Sequence, residues 1–182
     1  MTPAPDYRKI IEKYYPAGSR LRDIYLRHCR SVAGLALEIA GRKKLPLDPA
    51  VVEAAAMLHD IGIFATDAPS IECRGTEPYI RHGVIGAGLL RAEGAGEEYA
   101  VVAERHTGAG LTADDVRRGG LPLEARDYLP LTLLERLICY ADKFYSKSGD
   151  MERKPLEKVR RQMARFSEDT LRRFDALHRE FS

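Results

Sequence analysis

The chain has 182 residues, 45% of them hydrophobic, and a formal net charge of +2 from 29 basic and 27 acidic side chains. That length supports one domain with a full core, and the near balance of charge gives no reason to expect nucleic-acid or membrane-surface binding. No apolar run approaches the roughly 20 residues of a spanning helix, and the N-terminal stretch MTPAPDYRKIIEKYYP, charged throughout, lacks a signal-peptide core.

Helical spacing dominates from the start, and no convincing alternating strand appears. Residues 6–15 predict a short helix that stops at Pro16, and Ser19 caps a long helix running to about Lys44. Leu21, Ile24, Tyr25, Val32, Leu35 and Ile39 form its apolar stripe, with His28 on the same stripe. Asp48 followed by Pro49 is a strong helix start, and VVEAAAMLHD carries that helix towards Gly62. Residues 64–78 read as a loop. Helices follow over about 79–93, closed by Gly94, and about 97–106, ending in HTGAG. Thr112 with Asp115 reads as a capping box for a short helix, residues 119–130 as a connector, and Thr132 as the opening of LLERLICYADKFY. A last amphipathic helix is expected over about 152–180, with Leu156, Val159, Met163, Phe166, Phe174, Leu177 and Phe181 on one side. There is no internal repeat or domain boundary, so the chain is expected to form a single all-α domain over 1–182.

The histidines and two aspartates fall where polar groups are expensive. His28 lies mid-helix on an apolar face, His59 and Asp60 follow the apolar AAAML, and Asp142 lies in ICYADKFY. His82 and His106 lie on two further predicted helices. Burying a carboxylate alone costs several kcal/mol, a cost that a shared cation offsets. Neutral imidazole and carboxylate are the usual ligands of borderline divalent metals. A lone helical histidine is usually an ordinary core or boundary residue, and His178 is read that way. The six-residue order is a different matter. The three cysteines, Cys29, Cys73 and Cys139, are odd in number and without ligand spacing, and read as reduced thiols in a cytoplasmic protein.

The order His28, His59-Asp60, His82, His106, Asp142 resembles the HD superfamily of metal-dependent phosphohydrolases. His28, His59, Asp60 and Asp142 match its defining quartet, and His82 and His106 match the extra histidines of its two-metal members. The local context is HDIG at 59–62, RHGVIGAGLL at 81–90, ERHTGAGLT at 104–112 and ADKFYSK at 141–147. The likeness covers about residues 20–148 and is strongest to small uncharacterised HDIG-domain proteins. It implies an all-helical HD-domain bundle around one or two divalent transition-metal ions (Fe, Mn, Zn, Ni or Co). The HDIG motif is followed by Ile63 and Phe64 rather than lysine, and no Gly-Tyr-Pro motif follows, which argues against the cyclic-di-GMP branch. The diadenosine tetraphosphate hydrolases are nearer, through their HTG-type and ADK-type segments.

The resemblance implies hydrolysis of a nucleotide or other small phosphate ester by a metal-activated hydroxide, with Asp60 bridging two metals. His28, His59 and Asp142 would complete one metal's ligands, and His82 and His106 the other's. Asp60 and Lys143 are the candidate catalytic residues, Lys143 by placing its ammonium on a phosphate. Arg81, Arg105 and Thr107 are candidate substrate contacts at the mouth of the site. The partner expected is a small phosphorylated substrate, with no nucleic acid and no membrane; the oligomeric state is left open. Two rivals remain: a mixed-valent di-iron oxygenase with the same ligand types, and a metal-binding sensor domain without turnover.

Overall fold

The computed structural model of the protein describes residues 4–182. Among these residues the architecture is helical: α1 (Tyr7–Tyr14), α2 (Arg20–Arg42), α3 (Pro49–Leu58), α4 (His82–Ala92), α5 (Glu97–Arg105), α6 (Ala113–Arg118), α7 (Leu133–Asp142), α8 (Leu156–Ala164) and α9 (Glu168–Phe181). The expected all-α class holds, with one addition. The segment expected to be plain loop carries two short 3₁₀ turns and a two-stranded antiparallel ribbon, β1 (Asp67–Ala68) paired with β2 (Cys73–Arg74), and a third 3₁₀ turn (Tyr79–Arg81) leads into α4. Two-residue strands are too short to show alternation, so they leave no periodic sign in the sequence.

The helix starts follow from local chemistry. Asp6, Ser19 and Asp48 each accept a backbone N–H from the first turn of α1, α2 and α3. Thr112 with Asp115, and Thr132 with Glu135, form reciprocal capping boxes for α6 and α7. One expectation fails: the helix foreseen over 152–180 is two helices. The first starts only at Leu156, after Pro155, and the chain breaks at 165–167, where Ser167 accepts the Thr170 N–H and caps α9. Met163 and Thr170 stand seven residues apart on the buried side, so the apolar period runs through the break and conceals it. Phe166, expected on the apolar face, sits at this break with 72% of its surface exposed.

The core is built on α2, α3, α5 and α7, with α4 laid against α5 and α9 against α7. Tyr15 and Tyr25 are fully buried and stack at 4.2 Å between centroids. Each uses its hydroxyl to tie down the backbone around the end of α3. Tyr25 donates to the Met57 carbonyl at 2.6 Å, and Tyr15 to the Ile61 carbonyl at 2.9 Å. The turn that follows α3 is therefore held from two sides.

Candidate metal centre

The turn after α3 carries His59 and Asp60, and every other candidate ligand converges on it. His28 comes from the middle of α2, His82 from the first position of α4, His106 from just beyond α5, and Asp142 from the last residue of α7. All six residues are buried. His28, His59, Asp60 and Asp142 form one group whose ligand atoms all lie within 4.8 Å of one another, and Asp60, His82 and His106 form a second. Asp60 belongs to both. His28 Nε2 lies 2.9 Å from Asp142 Oδ1 and 3.1 Å from Asp60 Oδ2, while His106 and His82 Nε2 lie 3.3 and 3.5 Å from Asp60 Oδ1. One carboxylate thus faces one group with one oxygen and the second group with the other.

The protonation pattern fits a cation. His59, His82 and His106 each place Nδ1 2.6–2.8 Å from the carbonyl three residues earlier, of Ala56, Tyr79 and Ala103. A carbonyl can only accept, so these Nδ1 atoms carry the proton. Burial lowers the pKa of His82 and His106, whose Nε2 lone pairs point inward, whereas at His59 burial is outweighed by the charge of Asp60 and its pKa is raised well above the usual value. His82 Nε2 and His106 Nε2 then face each other at 3.1 Å with no proton between them, an arrangement that a positive ion relieves. Burial and the neighbouring His106 push the His82 pKa down to about 3, so its imidazole is neutral. Burial opposes ionisation of Asp60, yet Lys147 and His59 hold its carboxyl well below the usual range. Both Asp60 oxygens, both His28 nitrogens and His59 Nε2 are buried without a hydrogen bond of good geometry. Such atoms are rare in a folded interior unless an ion satisfies them. Finally, α3, α5 and α7 all present their C-terminal ends here, and their partial negative charge favours a cation.

The approach of α4 to this turn and to α5 depends on two glycines. A Cβ on Gly62 would lie 2.2 Å from the His82 carbonyl oxygen and 2.6 Å from Gly86 N, and one on Gly83 would lie 2.7 Å from the Ala103 carbonyl oxygen. The glycine of HDIG is thus a matter of close backbone contact, since its φ of −85° suits any residue.

A cleft of about 730 Å³ opens onto the centre at Asp142, Lys147 and Tyr79. Lys143 and Lys147 both line it, and both ammonium groups are engaged. Lys143 Nζ lies 2.7 Å from Asp142 Oδ2 and donates to the His106 carbonyl at 2.8 Å. Lys147 Nζ lies 2.6 Å from Asp60 Oδ2. Sequence reasoning singles out Lys143 and passes over Lys147, though it ends the quoted ADKFYSK; four residues beyond the end of α7 separate it from Asp142, and no periodicity says where such a side chain turns. Arg81 pairs with Glu77, and Arg105 with buried Glu135 at 2.9 Å. Neither arginine nor Thr107 is among the residues lining the cleft. His178 lies away from the centre, its Nδ1 2.9 Å from the Tyr140 hydroxyl.

Fold and site together define an all-helical domain with two overlapping His/Asp clusters at the converging ends of its helices. The family model described as HD domain matches residues 25–146, and the chain belongs to that family. An uncharacterised protein of Methanocaldococcus jannaschii is 38% identical over 120 residues, covering 64% of this chain and 63% of the relative. Two proteins named tRNA (cytidine(56)-2'-O)-methyltransferase also match. The one from Thermoplasma volcanium is 32% identical across 98% of this chain and 47% of its own length, and that from Picrophilus torridus 33% identical across 68% and 32%. The chain thus spans less than two thirds of each relative. No solved structure matches the chain. Among the described residues no helix is long and apolar enough to cross a membrane.

Proposed function

We propose that the chain is a metal-dependent phosphohydrolase acting on a nucleotide or another small phosphate ester. The observation that carries this reading is the pair of ligand groups sharing Asp60 at the floor of a cleft lined by Lys143 and Lys147. Bound divalent ions would supply a water of lowered pKa and neutralise charge growing on the phosphoryl oxygens. His28, His59, Asp60 and Asp142 would hold one ion, and Asp60, His82 and His106 the other. Four imidazoles with two carboxylates suit Fe, Mn, Zn, Ni or Co better than Mg, which prefers oxygen.

The chain's own residues do the rest. The backbone carbonyls of Ala56, Tyr79 and Ala103 fix three imidazole rings and their tautomers. Lys143 orients the Asp142 carboxylate and the carbonyl of His106, and so acts as a positioning residue. Lys147 reaches both Asp60 and the cleft, which makes it the better-placed cation to meet a substrate phosphate. The lysines that line the cleft suit an anionic substrate. Two relatives are named for action on tRNA, and on that ground RNA-derived nucleotides belong among the candidates.

The test is a panel of nucleotides, RNA-derived mononucleotides and sugar phosphates incubated with protein loaded with each metal, read as phosphate or nucleoside release. Turnover that disappears in the Asp60→Asn variant supports the proposal. A silent panel, with iron-loaded protein consuming oxygen in the presence of an organic substrate, replaces it with the oxygenase reading.

A further inference from the structure

The far wall of the cleft comes from a part of the chain beyond the family match, which ends at residue 146. Lys154, Gln162 and Arg165 line that wall, on and around α8. Their charges differ in kind from those at the floor. Lys143 and Lys147 each face a carboxylate, but Lys154 Nζ has one polar partner, the neutral Gln162 Oε1 at 3.0 Å. Among the described residues neither Lys154 nor Arg165 has a carboxylate within 4.0 Å, although most arginines near them on α8 and α9 are paired, Arg160 with Asp175 and Arg173 with Asp115 among them. Lys154 is also fixed in place. Its backbone N–H donates to the Phe144 carbonyl at 2.8 Å, and Pro155 follows it directly. Burial draws the Lys154 pKa down to about 8; the charge of Asp142 opposes this, and Lys143, Lys158 and Lys147 add to the repulsion. A partly buried ammonium held on a neutral amide among like charges is unfavourable until an anion joins it.

We propose that Lys154, Gln162 and Arg165 form a subsite for a second phosphate group, so that the cleft selects substrates bearing two or more phosphates over simple phosphomonoesters. This rests on the phosphohydrolase reading, which places the first phosphate at the metal centre. The chain leaves α8 at Arg165, and Arg165 and exposed Phe166 both stand at the rim of the cleft.

Two non-hydrolysable probes separate the alternatives: methylphosphonate, with one phosphoryl-like group, and methylenediphosphonate, with two. Their binding to the manganese-loaded protein, freed of excess metal, is measured by calorimetry alongside the melting temperature of each variant. The diphosphonate is expected to bind at least about 10-fold more tightly than the monophosphonate, the worth of one charge-assisted contact. Lys154→Met should erase most of that advantage, Lys154→Arg should keep most of it, and Arg165→Gln should reduce it. Affinity for methylphosphonate should stay within about twofold throughout. The Lys154→Met protein should melt no lower than the wild type, since a strained cation has gone; a purely structural lysine would instead lower the melting temperature. Equal affinity for the two probes in the wild type overturns the subsite while leaving the phosphohydrolase reading intact. So does a diphosphonate affinity that neither Lys154→Met nor Arg165→Gln alters. Failure of the metal-loaded wild type to bind either probe overturns both.

Discussion

Replacing Gly62 by alanine should damage the metal centre through packing alone. The added Cβ would sit 2.2 Å from the His82 carbonyl oxygen and 2.6 Å from Gly86 N, and both are backbone atoms of α4 that no rotamer change can move. Restoring ordinary carbon–oxygen contact requires α4 to recede by about 1 Å. His82 Nε2 would move with it, away from Asp60 Oδ1, from which it stands 3.5 Å. Metal–ligand distances tolerate only about 0.2 Å, so the Asp60, His82, His106 group should lose its ion. The overpacking itself costs about 1–3 kcal/mol, and at this chain length each kcal/mol lowers Tm by about 2–4 °C. Gly88→Ala is the internal control. It lies on the same helix, exposed, with nothing within 4 Å of its would-be Cβ, and alanine there should stabilise by about 0.5–1 kcal/mol. Thermal denaturation followed by circular dichroism, with elemental analysis after manganese saturation, reads both effects. The reasoning is refuted if Gly62→Ala keeps its Tm and its full metal content, or if the two alanines lower Tm alike.

Other outcomes follow from the same geometry. Elemental analysis should find up to two transition-metal ions per chain; His82→Ala or His106→Ala should remove about one of them, and Asp60→Asn should disturb both, so equal and complete loss from all three variants would contradict the shared-carboxylate arrangement. Lys147→Gln should lower turnover by about 100-fold with metal content unchanged, whereas Lys143→Ala should weaken metal affinity about 10–100-fold by releasing Asp142; metal titrations beside steady-state kinetics tell these apart, and a Lys143→Ala protein with intact metal affinity would return that ammonium to the substrate. Tyr15→Phe leaves the Ile61 carbonyl without its buried donor and should cost about 1–3 kcal/mol in chemical denaturation; an unchanged midpoint would show that the turn after α3 holds without this clamp.

The parts of the molecule that are legible in the sequence are those whose cause is local. Ser19, Asp48, Thr112 and Thr132 announce their helices because each cap bonds to a backbone group two or three residues away. The six converging residues are legible because so many imidazoles and carboxylates in apolar stretches would be costly to bury without a cation to join them. What stays hidden depends on contacts distant along the chain. The break before α9 leaves the apolar period undisturbed. The commitment of Arg105 to Glu135 joins positions thirty residues apart, and the contact of Lys147 with Asp60 joins positions farther apart still. Arg81 and Arg105 each precede a candidate ligand by one residue, a step of about 100° along a helix that turns them from the metal towards either the mouth of the site or a salt bridge, and the structure pairs both with glutamates.

The same contrast explains how the centre is built. A helix leaves its last carbonyls without partners, and a histidine just past that end can offer its Nδ1 proton to the carbonyl three residues back. His59 does this after α3 and His106 after α5, so each takes its ring orientation from its own segment. His28 has no such free carbonyl, because mid-helix acceptors are taken by the backbone ladder, and neither of its nitrogens has a hydrogen bond of good geometry. Its aim is set only by the packing of α2 against α3 and α7 and by the carboxylates of Asp60 and Asp142. The four-residue group containing His28 therefore requires the assembled core, whereas His82 and His106 are brought together by the close α4–α5 contact that Gly83 permits and meet Asp60 through the contact of α4 with Gly62. The two ligand groups that share Asp60 are in this way tied to different helix contacts, one to α2 against α3 and α7 and the other to α4 against α5.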